Sequence, residues 1–176
     1  MTTAENVLSG IQEKFPASLL KAQQPQTDRL YLTVKREEIR PLTDYLFNTL
    51  HARLIMSVGT DKTPIDGNYE VSYIYSLDSR NLILLVKELV PPNDPQVPSV
   101  TNIIPGANWH EREVYDLLGI KAEGHPDPRR LVVSDDWPED VYPLRKDVPS
   151  TSGLPSSEKS NLPCVSPTRM RKRRPS

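Results

Sequence analysis

The sequence is short of the residues from which most enzymes and metal proteins build their sites. It has one cysteine (Cys164), three histidines and seven glycines in 176 residues. A single thiol excludes an intrachain disulfide and any cysteine-ligated cluster held by this chain alone, and it fits a reducing compartment. Cys164 stands in a Pro- and Ser-rich stretch, with no base or helix terminus to lower its pKa. His51, His110 and His125 are scattered without ligand spacing or a nearby cysteine. His110-Glu111 hints at a zinc-protease helix, but the position four after His110 is Val114, not a second histidine. The glycines form neither a Walker loop nor a dinucleotide fingerprint, and Gly119 and Gly124 end a helix instead of opening one. No Gly-x-Ser-x-Gly elbow occurs. No catalytic, cofactor-binding or metal-binding residue is expected of this chain acting alone.

Long hydrophobic runs are missing too. Leu82–Val86 is the longest and is far too short to cross a bilayer. Met1-Thr2-Thr3-Ala4-Glu5 has neither the basic start nor the apolar block of a secretory signal. A soluble chain, or one peripheral to a membrane, is the expectation. The 22 Lys and Arg nearly balance 23 Asp and Glu, but unevenly. Residues 1–150 hold 16 basic against 22 acidic side chains, and residues 151–176 hold 6 against 1. The acidic body argues against nucleic acid as a partner, because phosphate binding needs concentrated positive charge.

What is present points to one modest domain and an extended end. Half of the 18 prolines fall from Pro126 onward, so the core is expected within residues 1–120. Thr2 and Glu5 form a capping box, and Val7, Leu8, Ile11 and Phe15 follow at helical spacing until Pro16. Leu30, Leu32 and Val34 alternate as in a half-buried strand. Ile39, Leu42, Leu46 and Leu50 return to helical spacing, and Pro41 requires that helix to begin near Arg36. Strands are expected over Arg53–Val58, Tyr69–Leu77 and Leu82–Leu89, with Asp78–Asn81 as a hairpin connection. The fold class is α+β: a small, mostly antiparallel sheet covered by helices. Pro91–Pro98 reads as an extended crossover. Ser99 is expected to cap a short helix over Val100–Ile104, and Asn108 to cap a helix over Trp109–Leu118 that Gly119 terminates. Residues 121–150 form a proline-stiffened strap, and residues 151–176 a disordered basic tail.

The richest charge cluster is Glu111-Arg112-Glu113 with Asp116, on the helix that also carries Trp109. Spacing lets Arg112 meet Asp116 and puts Glu113 on one face with Trp109 and Leu117. The plain reading is an amphipathic helix with solvated charges; the sharper one pairs those charges with downstream arginines to fix the strap. That segment offers Arg129, Arg130, Trp137, Arg145 and Lys146, of which the arginines and Trp137 are favoured interface anchors. Asp135-Asp136 reads as a turn before Trp137-Pro138, not as an acid–base pair.

Residues 108–132 resemble the signature of the 30-kDa subunit family of respiratory complex I, the NADH–quinone oxidoreductases. That pattern runs Glu-Arg-Glu, two residues, an acid, two apolar residues, six residues, then His and basic and apolar positions. Glu111, Arg112, Glu113, Asp116, Leu117, Leu118, His125, Arg129 and Leu131 fall in place. Asp136-Trp137 and Pro143-Leu144-Arg145-Lys146-Asp147 extend the likeness.

The resemblance implies a non-catalytic structural subunit of a proton-translocating NADH–quinone oxidoreductase, holding no cluster or flavin. It further implies a place in the peripheral arm, clasping the large hydrogenase-like (49-kDa type) subunit near the quinone site. Membrane association would come through the complex, at the cytoplasmic face of the cell membrane. Two departures stand out: Pro128 where the family usually has Leu, and Val141-Tyr142 where quinone-reducing members commonly have Gly-His. The second keeps open the equivalent subunit of an energy-converting [NiFe]-hydrogenase or formate hydrogenlyase. A third reading, an adaptor whose basic tail binds anionic lipid, rests on charge alone.

Overall fold

Apolar alternation builds most of a five-stranded sheet, with its strands in the order β1-β2-β5-β4-β3. The computed structural model describes residues 3–135 and 137–146. Thr2 of the capping box, Asp136, Cys164 and the basic tail lie outside the described residues. Helix α1 covers Thr3–Lys14 and buries Ala4, Val7 and Ile11 along one stripe. Strands β1 (Leu19–Gln26) and β2 (Arg29–Val34) form an antiparallel hairpin. Nothing periodic announces β1: apart from half-buried Leu19 it is exposed throughout, contains Pro25 and pairs with two register shifts. These are the marks of a blunted edge strand.

A 3₁₀ turn at Arg36–Glu38 leads into α2 (Ile39–Asp44), so Pro41 does fall in the first helical turn. A π turn over Tyr45–Thr49 ends this segment. Strand β3 (Arg53–Asp61) runs three residues past its expected end. The short helix α3 (Thr63–Asp66) precedes β4 (Tyr69–Leu77), and a 3₁₀ turn with Asn81 at φ 47° leads into β5 (Leu82–Val90). The meander β3-β4-β5 is antiparallel, and the crossover between β2 and β3 leaves β2 parallel to β5.

Burial alternates on β2 and β5, where Leu30 pairs with Leu84 and Leu32 with Val86. Tyr73 and Tyr75 of β4 join this face, and the Tyr75 hydroxyl lies 2.9 Å from that of Thr43 on α2. Period two also delivers Glu88 to the same buried face, two residues after Val86. Its Oε1 accepts the Tyr73 hydroxyl at 3.1 Å, and its Oε2 has no partner among the described residues. Burial pushes this carboxyl up to about 8, against the hydrogen bond from Tyr73.

Beyond the sheet two expectations change. Val100–Ile104 is a hydrogen-bonded turn and not a helix, with both Ile103 and Ile104 amides donating to the Val100 carbonyl. Ser99 nevertheless behaves like a cap, its Oγ accepting the Thr101 amide at 3.2 Å. The following helix, α4 (Ala107–Leu118), starts after Gly106 and not at an Asn108 cap. With Gly106 at the capping position and the Ala107 and Asn108 amides donating to the Ile104 and Pro105 carbonyls, Asn108 already lies inside the first helical turn. Gly119 terminates α4 at φ 72° as expected. Strand β6 (Gln96–Pro98) pairs in parallel with β7 (Lys121–Glu123), so the two strands of this small sheet bracket α4 in sequence. α4 rests on β3 where Gly59 has no side chain; a Cβ there would come within 2.5 Å of Leu118 and 3.2 Å of Val114.

Burial of Glu88 makes the stability of the fold depend on pH. Between the ordinary glutamate value of 4.5 and about 8, the unfolded chain has released this proton and the folded chain keeps it. The residue therefore lowers stability by about 1.4 kcal/mol per pH unit as pH rises through that window, and has no such effect below it. Replacing it, Glu88→Gln, should raise the thermal midpoint over the native chain by several degrees at pH 8 and by little at pH 5. Circular-dichroism melts at both pH values test this, and an equal gap at the two would contradict it.

Candidate functional site

Helix α4 carries four charged side chains within six positions, Glu111, Arg112, Glu113 and Asp116, and helical geometry sends them in different directions. Glu111 points inward and is almost fully buried. Its carboxylate accepts the Ser99 hydroxyl and the Val100 amide at 2.6 Å each and the Thr101 hydroxyl at 2.9 Å. Three donors compensate for the lost water. They also pin the 99–101 turn to the helix.

His125 lies beside this pair of elements, its Nε2 3.8 Å from Glu111 and 3.3 Å from the Asn108 carbonyl. The Asp127 amide donates to Nδ1 at 3.0 Å, so the neutral ring carries its proton on Nε2, facing those acceptors.

Arg112 and Asp116 do not meet each other as spacing suggested. Arg112 donates from Nε to the Arg129 carbonyl at 2.7 Å and from Nη2 to the Arg130 carbonyl at 2.8 Å, with Asp127 3.6 Å from Nη1. Asp116 accepts the amides of Leu131 and Val132 at 2.7 Å and of Val133 at 3.4 Å. Both thus bind the strap's main chain, where side-chain pairing with downstream arginines was expected. Each partner offers only its complementary half: a guanidinium finds carbonyls and a carboxylate finds amides.

The strap runs alongside α4 in the same direction, meeting Asn108, Arg112 and Asp116 in turn. Its far end closes on the helix terminus. The Leu144 amide donates to the Leu117 carbonyl at 3.0 Å and Arg145 Nε to the Leu118 carbonyl at 2.7 Å, satisfying groups a helix end leaves open. The Arg145 guanidinium also stacks on Tyr142 at 4.3 Å and Tyr69 at 5.3 Å. Gly119 is required here twice over, because a Cβ would come within 2.6 Å of both Arg145 and the Tyr142 ring.

Several contributors carry only weak sequence signals. Asp61, at the end of β3, accepts the Lys146 amide at 2.7 Å and the Thr63 amide and hydroxyl at 2.9 and 2.6 Å. Burial would raise its carboxyl, but these hydrogen bonds outweigh it and hold it below the usual range. The Asp-x-Thr spacing signals the local turn; the contact across 85 positions leaves no trace in sequence. Lys146 makes the hydrogen bond through its amide, and its ammonium adds a weaker Coulombic attraction for the Asp61 carboxylate. Arg129 extends into solvent and pairs with Asp127 at 2.7 and 2.8 Å, which holds the Asp127 carboxyl well below the usual range. Arg130 donates to the Ser134 and Trp137 carbonyls, and Trp137 donates from its indole to the Val141 carbonyl at 2.8 Å. The strap therefore folds on itself and arches over a cavity of about 370 Å3 bounded by Tyr115, Asp116, Arg130, Trp137 and Tyr142.

Two of the expected site residues stand apart. Trp109 is 60% exposed, touching Arg112 through its ring at 5.5 Å, and Glu113 is exposed with no partner among the described residues. Among the described residues, no three His, Cys, Asp or Glu side chains are grouped to hold a metal ion, and no helix is long and apolar enough to cross a membrane.

Comparison with known proteins gives this geometry a context. The family model described as respiratory-chain NADH dehydrogenase, 30 Kd subunit, matches residues 32–153. An NADH-quinone oxidoreductase subunit of Geobacter metallireducens is 35% identical over 156 residues, covering 85% of this chain and 91% of that protein. Formate hydrogenlyase subunit 5 and hydrogenase-4 component G of Escherichia coli are 37% and 36% identical over 144 residues, each covering 81% of this chain. The chain spans about a quarter of those two, 25% and 26% of their lengths. Among solved structures, the trypsin-resistant fragment of Nqo5 superposes with a TM-score of 0.60 at 29% identity, over 70% of this chain and 97% of that one. A chain of the membrane-bound sulfane sulfur reductase, an archaeal respiratory membrane complex, shares the fold with a TM-score of 0.72 over 98% of both chains at 22% identity.

Removing the carboxylate that gathers three strap amides, Asp116→Ala, should loosen the strap locally. Hydrogen bonds to charged groups are worth about 1.5–3 kcal/mol, so amide exchange at Leu131–Val133 should accelerate about 10- to 100-fold. The amides of β4 and β5 should keep native protection. Uniform acceleration across the sheet would show instead that Asp116 supports the whole fold.

Proposed function

The chain belongs to the 30-kDa subunit family of the respiratory-chain NADH dehydrogenases, and we propose that it is a non-catalytic structural subunit of a proton-translocating NADH–quinone oxidoreductase, clasping the large hydrogenase-like subunit through its strap. The observation that carries this reading is the way α4 holds the strap. Arg112 and Asp116 bind its backbone, which leaves Arg129, Val132 and Leu144 presented outward, Val132 and Leu144 each 51% exposed. A segment with outward apolar and cationic side chains is suited to contact another protein. Association with the membrane then comes through the complex, on its cytoplasmic face.

The distribution of relatives supports a role defined by neighbours. The same module accounts for nearly all of a separate subunit in one relative and a quarter of a longer polypeptide in two others. A domain whose work is to stay beside a constant partner gains from fusion, since linkage raises the effective concentration of the contact.

A second reading has its own support. Hydrogenase and formate hydrogenlyase components are as similar to this chain as the Geobacter oxidoreductase subunit is, and Val141-Tyr142 replaces the Gly-His expected of quinone-reducing members. In that case the equivalent subunit would serve an energy-converting [NiFe]-hydrogenase.

Affinity purification of the tagged chain from native membranes in mild detergent separates the two. Flavin and iron without nickel, with NADH oxidation, is the expected result; nickel with hydrogen evolution would move the chain to the second branch. Charge reversal at both Arg112 and Arg145 should reduce the recovered complex by about tenfold or more while the sheet's circular dichroism persists. Recovery of intact complex with both reversed would overturn the clasp.

A further inference from the structure

Of the charges on α4, three are consumed within the chain and one is not. Glu111, Arg112 and Asp116 are each bound by the 99–101 turn or the strap, while Glu113 is exposed with no partner among the described residues. It stands at the rim of an apolar groove of about 120 Å3 between α4 and β3, lined also by Met56, Val58, Val114, Leu117 and Leu144. A cavity of about 150 Å3 takes a benzene ring, so this volume suits one aliphatic side chain.

The groove is a product of the strap. Leu144 forms one wall, and its place is fixed by its amide on the Leu117 carbonyl and by the neighbouring Arg145 on the Leu118 carbonyl. The floor is closely packed, because α4 and β3 meet at Gly59. Single exposed apolar residues need no explanation, but here Met56 at 39% and Leu144 at 51% line one depression, and Trp109 at 60% lies one helical turn from Glu113.

Resting on the function proposed above, we propose that this groove is a docking site for a neighbouring subunit of the complex. Its occupant is an aliphatic or methionine side chain that enters the groove with an arginine or lysine one helical turn away, pairing with Glu113. The charge sign follows from the free carboxylate and the apolar class from the lining. The adjoining position follows from continuity with the strap, so that a single partner surface meets both.

The test uses the assembled complex purified through the tagged chain. A photo-crosslinking residue at position 117 should yield a cross-linked peptide from a subunit of that complex, with Arg or Lys within four residues of the attachment point. Glu113→Lys should lower recovery of that subunit about tenfold, and reversing the partner's identified basic residue should restore it to within twofold. Met56→Asp should weaken recovery independently of charge pairing. Cross-links confined to this chain's residues 151–176 or to a second copy of the chain, or native recovery with both Glu113→Lys and Met56→Asp, would overturn the groove while leaving the clasp standing. If the native chain recovers no complex at all, the function proposed above and this inference fall together.

Discussion

Glu111 keeps its carboxylate almost entirely away from water, and a group of that kind persists in a fold only where donors replace the solvent it has lost. Here the replacement comes from one short stretch, with the Ser99 hydroxyl, the Val100 amide and the Thr101 hydroxyl all within 2.9 Å. The consequence is mutual. The turn cannot shift without orphaning the carboxylate, and α4 cannot rotate without abandoning the turn. Since the turn follows β6, and β6 pairs with β7 just beyond the helix, both ends of α4 are tied into one small closed unit. Gly59 sets the distance of that unit from the main sheet.

With the rotation of α4 fixed, the roles of its remaining charges follow from helical spacing. Residues 108, 112 and 116 lie along one stripe, and the strap runs down that stripe as three successive contacts. Position 113 is turned about a hundred degrees from 112, toward β3 and the apolar groove. Adjacent charges that look redundant in sequence therefore address different neighbours. Glu88 shows the contrasting case: a buried carboxyl with one hydrogen bond, raised to about 8, where Glu111 has a full set of donors. Burial of a charge-bearing group is tolerated in both places, but it organises its surroundings in one of them.

Much of the fold was legible because the main sheet obeys simple periods. The alternation in β2 and β5, the helical stripe of α1 and the αL end of α4 at Gly119 could all be read from residue order, whereas β4, alternating in residue type, is buried on both faces. What escaped did so for identifiable reasons. β1 is an exposed edge whose pairing comes from the hairpin, not from apolar alternation. The turn at Val100–Ile104 looks helical by composition, but its backbone is captured by Glu111. The charge cluster was visible and its partners were not, because main-chain amides and carbonyls carry no sequence signature. Asp61 is the extreme example, joined to Lys146 through an amide that every residue but proline possesses.

That same anonymity explains how sequence requirements divide between helix and strap. A helix that grips backbone imposes little on the side chains it grips, apart from conformation, which Pro126, Pro128 and Pro143 restrict in advance. The demanding positions are on the gripping side: Glu111, Arg112 and Asp116, with Gly119 leaving room for Arg145 and Tyr142. Strap residues held by their amides, such as Val132 and Leu144, have side chains released from holding the strap in place, and these can be matched to whatever surface the complex presents. Under the proposed assembly, the helix would stay recognisable across complexes of different chemistry while the outward residues of the strap follow the partner. Val141 belongs to that second class, since it lends the fold only its carbonyl, to the Trp137 indole, a contact that any residue at 141 could make. Tyr142 does not, because its ring packs on Arg145 in the room that Gly119 leaves.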